Sequence, residues 1–325
     1  MDLPARLKGL EAASAHWPPQ PASQNRLCGF YTDGVIDSAQ DAAAFAVQFF
    51  EHQNDMAAEG SPDRLSFRVV AHAGALSLLD AQGVTVEGAL PLSYTEPNLV
   101  VAYTAANLPG RTMSDAQLAR HHGLLVEAKS RTPKDARCPA AEPRLLTPED
   151  VDSVAADFAK LYMVFSPSTM SGIKRALASA YELLGDPNNT VAYIEQDGHI
   201  VSTAMAEHSA VDVAGLGKLE LVEITEASTH PAYRGLGLYK RVSGYLIERL
   251  RHGQPNLVYG ESNLAQPGVV FAAHDNGRRF AHFEAAEYSM GHRPAFGILQ
   301  QNFHVADGVE TRPYNDFAIS YVPSM

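Results

Sequence analysis

The sequence predicts an α/β protein with mixed sheets, built in two halves joined by a proline-rich linker. Three observations carry this. From Arg26 onward, short apolar runs of strand type alternate with helical patterns in the order β-α-β-α-β-β, ending near Ala105. From Leu219 to the end the same order returns. Between the halves, RTPKDARCPAAEP (131–143) holds three prolines and no apolar period, which reads as a linker. Domains are therefore expected at 1–139 and 140–325.

The elements follow in order. Residues 26–32 and 65–71 read as buried strands. Between them Ser38 is placed to cap a helix through about His52, with Ala42, Phe45, Phe49 and Phe50 inward. A short helix over Ala73–Gln82 should stop at Gly83, whose freedom at positive φ suits a helix end. Strands 84–92 and 99–105 complete the first half. In the second, Arg144–Leu146 is a strand, and Thr147-Pro148-Glu149-Asp150 supplies a cap, a first-turn proline and first-turn acids. Val151, Val154, Phe158 and Leu161 mark one helix, and Met170, Ile173, Leu177, Ala180 and Leu184 a second ending at Gly185. Asp197-Gly198 between two strand patterns is a hairpin signal. A strand over Leu219–Thr229 leads through a glycine-rich turn into a helix bearing Leu238, Val242, Tyr245, Leu246 and Leu250. Strand Asn256–Gly260, a helix up to Gly277 and two last strands close the chain.

Composition narrows the function. Of 325 residues, 46% are hydrophobic and 19% charged, so sizeable cores are available. Lys+Arg number 25 against 37 Asp+Glu, a net charge of -12. That balance argues against nucleic acid as a partner and suits a cationic, amine-type substrate. Two cysteines, Cys28 and Cys138, make neither a disulfide framework nor a CxxC zinc site, and no histidine pattern supports a metal. No apolar run has bilayer length, and the first 25 residues lack a signal-peptide pattern, so a cytoplasmic protein that binds no membrane is expected.

The chemistry centres on Arg234-Gly235-Leu236-Gly237-Leu238-Tyr239, between a strand and an amphipathic helix. Glycines there allow close backbone approach, and the first helical N–H groups carry positive potential, which together suit a pyrophosphate. The spacing matches neither GxGxxG nor GxxxxGK[ST], and no GxSxG elbow exists. The stretch THPAYRGLGLYKRVSGYLIERL (229–250) resembles motif A of the Gcn5-related N-acetyltransferases (GNATs), and the β-α-α-β-β order before it matches that family. Tyr239 stands where the pattern ends in Gly or Ala. Narrower still, EITEASTHPAYRG (223–235) is similar to the E-M-T-D-x-A-T-x-P-x-Y-R-G segment of the beta-lysine N-acetyltransferase family. GILQQNFHVADGVE (297–310) with Asn315 is similar to a later stretch of the same family. Asn263 and Val270 stand where that family carries Arg and Asn, which removes a partner for a substrate carboxylate.

The resemblance implies a GNAT fold in the C-terminal half and a degenerate GNAT-like N-terminal domain, whose equivalent turn, Thr32-Asp33-Gly34-Val35-Ile36-Asp37, would repel a pyrophosphate. It implies direct transfer of an acetyl group from acetyl-CoA, or another acyl-CoA, to the amine of a small molecule or amino acid. A CoA-binding regulator without turnover is one alternative, and an acyltransferase using a longer acyl-CoA or a carrier-protein thioester is the other. Ala227, Thr229, Arg234, Gly235, Leu236, Gly237, Leu238, Tyr239 and Asn263 would hold the donor. Strand alternation puts Glu220, Glu226 and Ser228 on one face and Glu223, Thr225 and Ala227 on the other. Glu226 and Glu223 are the candidate bases. His274 is the candidate general acid, with Tyr288 and Tyr239 as weaker alternatives. The sheet should splay where Leu219–Thr229 meets Asn256–Gly260, admitting the donor's pantetheine arm.

Overall fold

The structure, a computed structural model, describes residues 26–58, 64–92, 98–106, 113–133, 142–165, 173–264, 266–281, 297–301 and 315–323. Met170, Cys138, Tyr288 and most of the stretch 297–310 lie outside these residues. In the first half β1 (Arg26–Phe30), α1 (Ala39–Ala58), β2 (Arg64–His72), α2 (Leu76–Ala81), β3 (Thr85–Pro91), β4 (Leu99–Ala105) and α3 (Asp115–Ser130) follow one another. The sheet order is β1-β2-β4-β3, with β1 and β2 parallel and the other neighbours antiparallel.

Helix α1 forms because Ala42, Phe45, Ala46 and Phe49 recur at three- and four-residue spacing, and this stripe buries against Val69, Ala71, Val86 and Val100 of the sheet. The helix continues past His52 to Ala58. The expected helix over Ala73–Gln82 begins as a 3₁₀ turn, Ala73–Ala75. It ends at Gly83, at φ +82°, as the left-handed cap requires. Helix α3 escaped the pattern reading, because its apolar face is narrow. Its signal is a capping box, in which Ser114 N–H donates to Gln117 Oε1 (3.0 Å) and Gln117 N–H to Ser114 Oγ (3.3 Å).

The second half runs β5 (Arg144–Leu145), α4 (Val151–Phe165), α5 (Ile173–Gly185), β6 (Asn189–Gln196), β7 (His199–Val213), β8 (Gly217–Thr229), α6 (Leu238–Leu250), β9 (Leu257–Asn263), α7 (Pro267–Asp275), β10 (Arg279–Phe280), β11 (Ile298–Gln301) and β12 (Asn315–Tyr321). The sheet order is β5-β6-β7-β8-β9-β12-β10, with β11 also on β12. Among the described strands of this sheet only β8 and β9 are parallel neighbours. Thr147 N–H donates to Asp150 Oδ2 (3.1 Å), so the predicted capping segment does its work. Asp197 and Gly198 both hold positive φ, 54° and 77°, as a two-residue hairpin turn demands. One face of the sheet packs on α6 through Val222, Ile224, Val242 and Leu246.

The opposite face is shared. Leu219, Leu221, Leu257, Tyr259, Ile319 and Tyr321 pack against Val70, Leu90, Leu99, Val101 and Tyr103 of the first half. Helix α3 docks on α7 through Leu125 and Ala128 against Val270 and Ala273. Backbone bonds also cross, from Gly297 N–H to Glu87 O (2.6 Å) and from Ala214 N–H to Thr32 O (2.9 Å). The first half therefore roofs the sheet face beside the strands that carry Glu223.

Candidate active site

After β8 the chain makes a 3₁₀ turn, Pro231–Tyr233, whose first amides His230 collects: Ala232 N–H donates to His230 Nδ1 (3.3 Å). Gly235 and Gly237 both sit at φ +79°. Gly237 caps α6 without any side-chain bond to the helix, and Arg241 N–H is the amide that reaches its carbonyl (3.1 Å). The amides of Leu238, Tyr239 and Lys240 consequently have no acceptor within the helix. A Cβ added at Gly235 would meet nothing within 4 Å, so the ground in front of the turn is open. Amides without an acceptor inside the helix, a helix N-terminus and open space fit a pyrophosphate. Arg234 is tied back to the strand, Nε donating to Thr229 O (3.3 Å). Leu236 and Leu238 turn toward the core and leave their backbone to the turn. Tyr239 also packs against that core, where burial pushes its phenol pKa up and nearby Arg278 opposes the rise.

Strand β8 then supplies an irregularity. Thr203 pairs with Ser228 and Met205 with Thr225, so Glu226 and Ala227 together oppose Ala204 alone. This is a β-bulge, and Glu226 takes φ +45° to make it. A non-glycine residue there is strained, and such strain clusters at functional sites. The bulge corrects the expected alternation: Ser228 no longer shares a face with Glu220. It points inward to α4, its Oγ donating to Leu161 O (3.0 Å).

On its other side β8 pairs with β9 over only three positions, Leu221–Leu257, Val222–Val258 and Glu223–Tyr259. Beyond them β8 continues six residues and β9 four with no mutual pairing. The splay thus opens just past Glu223, and its mouth lies toward the bulge and the glycine turn.

A charged group gathers at the point of opening. Tyr259 Oη donates to Glu223 Oε2 (2.9 Å). Arg68, from β2 of the first half, lies 3.4 Å from Glu223 Oε2 and 3.6 Å from Glu261 Oε1, and it bonds Tyr259 Oη. Its guanidinium also covers the rings of Tyr259 (4.9 Å) and Tyr103 (5.1 Å). Burial opposes the charge on Arg68, but Tyr259, Tyr103, Glu223 and Glu261 hold its pKa well above the ordinary value. Burial likewise pushes Tyr259 far up, with Arg68 opposing. Glu207 lies directly across β7–β8 from Glu223. Its carboxyl is pushed up to about 7 by burial and by the charge of Glu223, against the pull of Arg68.

The predicted residues therefore divide. Glu223 enters this group, whereas Glu226 sits in the bulge, where Thr203 Oγ1 donates to its carbonyl (3.4 Å). Ala227 and Thr229 line the strand between bulge and turn, and Asn263 ends β9 on the far wall, its carbonyl accepting from Gln266 N–H (3.0 Å). His274 is not in the Glu223 group: its Nδ1 lies 3.9 Å from Asp275, which also faces Lys240 and Arg131. Arg68, Glu207, Tyr259 and Glu261 were missed. Arg68 and Glu223 are 155 residues apart, and no local pattern joins them. Among the described residues no cluster of His, Cys, Asp and Glu could hold a metal, and no helix is long and apolar enough to cross a membrane.

Residues 142–270, in the second half of the chain, match the acetyltransferase (GNAT) domain family. No curated protein matches the chain. Among solved structures it is similar to a putative acetyltransferase from Agrobacterium tumefaciens (22% identity, 42% of this chain and 91% of that one, TM-score 0.35). It is also similar to glucosamine-6-phosphate N-acetyltransferase from Arabidopsis thaliana (16%, 37% and 81%, TM-score 0.30). A third is a probable N-acyltransferase from Enterococcus faecalis (16% identity, TM-score 0.31), where the match covers 38% of this chain and only 29% of that protein.

Proposed function

We propose that the protein is an N-acyltransferase that moves an acetyl group from acetyl-CoA to the amine of a small molecule or amino acid. The observation that carries this reading is the end of β8–β9 pairing at Glu223, a carboxylate, on the strand that runs on into the open glycine turn. The amides of 235–240 and the residues at Ala227 and Thr229 would hold the donor along the splayed strand. Glu223 takes a proton from the acceptor ammonium, so that the free amine attacks the thioester carbon. A C–N bond forms, the C–S bond breaks, and the second proton shed by the attacking nitrogen passes to the departing thiolate. Arg68 and the Tyr259 hydroxyl hold the Glu223 carboxyl in place for that task.

The carboxylates Glu207, Glu223 and Glu261 favour a cationic acceptor. Likeness to the beta-lysine family over 223–235 supports a diamino acid or polyamine, and Asn263 and Val270 speak against beta-lysine itself. One observation favours the alternative of a CoA-binding regulator: Arg68 already occupies the place between the tyrosines and carboxylates where a substrate cation would sit. Thiol release from acetyl-CoA over a panel of polyamines and diamino acids separates the two. Turnover with at least one amine is the expected result; CoA binding without turnover on any would replace the enzyme by the regulator.

A further inference from the structure

Arg278 is a second arginine near the splay, and it differs from Arg68 in every respect that matters. It follows α7, anchored by its own N–H to Ala273 O (3.1 Å), and is only 3% exposed. Among the described residues neither Nε nor Nη2 has a hydrogen-bond partner. Its position is defined by Gly260, the first residue of β9 beyond the last pair with β8. A Cβ at Gly260 would lie 2.3 Å from Arg278 Nη2 and 2.7 Å from Ile224 O, so the guanidinium fills the room a side chain would take at the point of opening. Ser262 is two residues further along β9 and on the same face by strand alternation. It too is fully buried, and its Oγ has no partner among the described residues. Two unpartnered donors thus line one wall of the splay.

The two free nitrogens are chemically informative. Nε and Nη2 form one edge of the guanidinium fork, the edge that meets both oxygens of a carboxylate in parallel. Burying such a charge without a partner is costly, since burial presses the Arg278 pKa down while Tyr239, Glu223 and Tyr103 only partly offset it. We propose that Arg278 receives a carboxylate carried by one of the two reactants, with Ser262 Oγ beside it. The carboxylate belongs either to a dicarboxylic acyl group on the donor or to an amino-acid acceptor. This inference rests on the acyltransferase reading for its place but concerns a separate contact.

The test is calorimetry on the full chain and on Arg278→Met and Arg278→Lys. Ligands are CoA, acetyl-CoA and succinyl-CoA for the donor arm, and lysine against cadaverine for the acceptor arm. In the parent, one arm should show the carboxylate-bearing ligand binding at least about tenfold tighter. That preference should vanish in both variants, because Met removes the charge and Lys removes the fork, while CoA affinity stays within about twofold. The responding arm identifies the source. No preference in either arm, or one that survives in both variants, overturns the proposal. Thermal midpoints guard against a structural role: Arg278→Met should melt at or above the parent, and a large fall in both variants would make the guanidinium structural and also overturn it. A parent that does not bind CoA refutes the acyltransferase reading, and the lysine–cadaverine pair still reads Arg278 alone.

Discussion

Two parts of the chain share one topology and differ in one place. In β1-β2-β4-β3 and in β8-β9-β12-β11, a parallel pair is followed by two antiparallel strands, and a helix links the first strand to the second. In the first half the pair stays closed. All five residues of β1 pair with β2, and the chain after it goes on bonding the same strand: Tyr31 N–H to Arg68 O, Ile36 N–H to Val70 O and His72 N–H to Ile36 O, each 2.9 Å. The start of α1 is also filled by its own side chains, Ser38 N–H donating to Asp41 Oδ2 (3.1 Å) and Asp41 N–H to Ser38 Oγ (3.3 Å). In the second half the pair opens after three residues, and α6 starts on a bare glycine. One topology thus occurs twice, once with its turn bonded by its own chain and once with an open splay and turn, the proposed ligand cleft.

If that difference decides function, the largest effect belongs to Glu223, the proposed base at the opening. Glu223→Gln should lower turnover on any accepted amine by about a hundredfold or more, with CoA affinity within about twofold. Steady-state rates and calorimetry read the two separately, and equal activity would exclude Glu223 as the base. Next is Glu207, whose carboxyl titrates near 7 in the folded chain against 4.5 ordinarily. A raised carboxyl stabilises the fold fully below its unfolded value, and this is lost as pH rises through 7. Stability should therefore fall by about 1–2 kcal/mol between pH 4.5 and 7.5, allowing for partial solvent screening. Chemical denaturation of Glu207→Gln should lack that slope. The smallest effect tests the closed half: Ser38→Ala should cost about 1 kcal/mol through loss of the cap. CoA affinity should not change, and a change would link the closed turn to the ligand.

Local chemistry made much of the fold legible. The Asp197-Gly198 hairpin, the Phe45–Phe49 stripe and the glycine turn each follow from residues adjacent in sequence. The splay was expected where β8 meets β9, and the pairing ends there. What escaped depends on distant partners. The bulge at Glu226 is imposed by the register of β7, not by the propensity of a glutamate. Glu207 acquires its high pKa only when the sheet sets it beside Glu223. Arg68 reads locally as an ordinary alternating strand residue, and only the packing of the first half delivers it to the site. Arg278 follows Asn276-Gly277, which reads as a helix end and says nothing of where the guanidinium goes.

The central claim is that the open turn, and not its closed counterpart, holds the acyl donor. Calorimetric titration of CoA into the parent, Gly237→Glu and Gly34→Glu tests it directly. Gly237→Glu places bulk and negative charge at the N-terminal amides of α6, so affinity should fall at least about tenfold, and a side chain at φ +79° should also cost about 1–2 kcal/mol of stability. Gly34→Glu makes the same change in the closed turn and should bind CoA like the parent. Undiminished CoA binding by Gly237→Glu, or an equal loss in Gly34→Glu, would contradict the account.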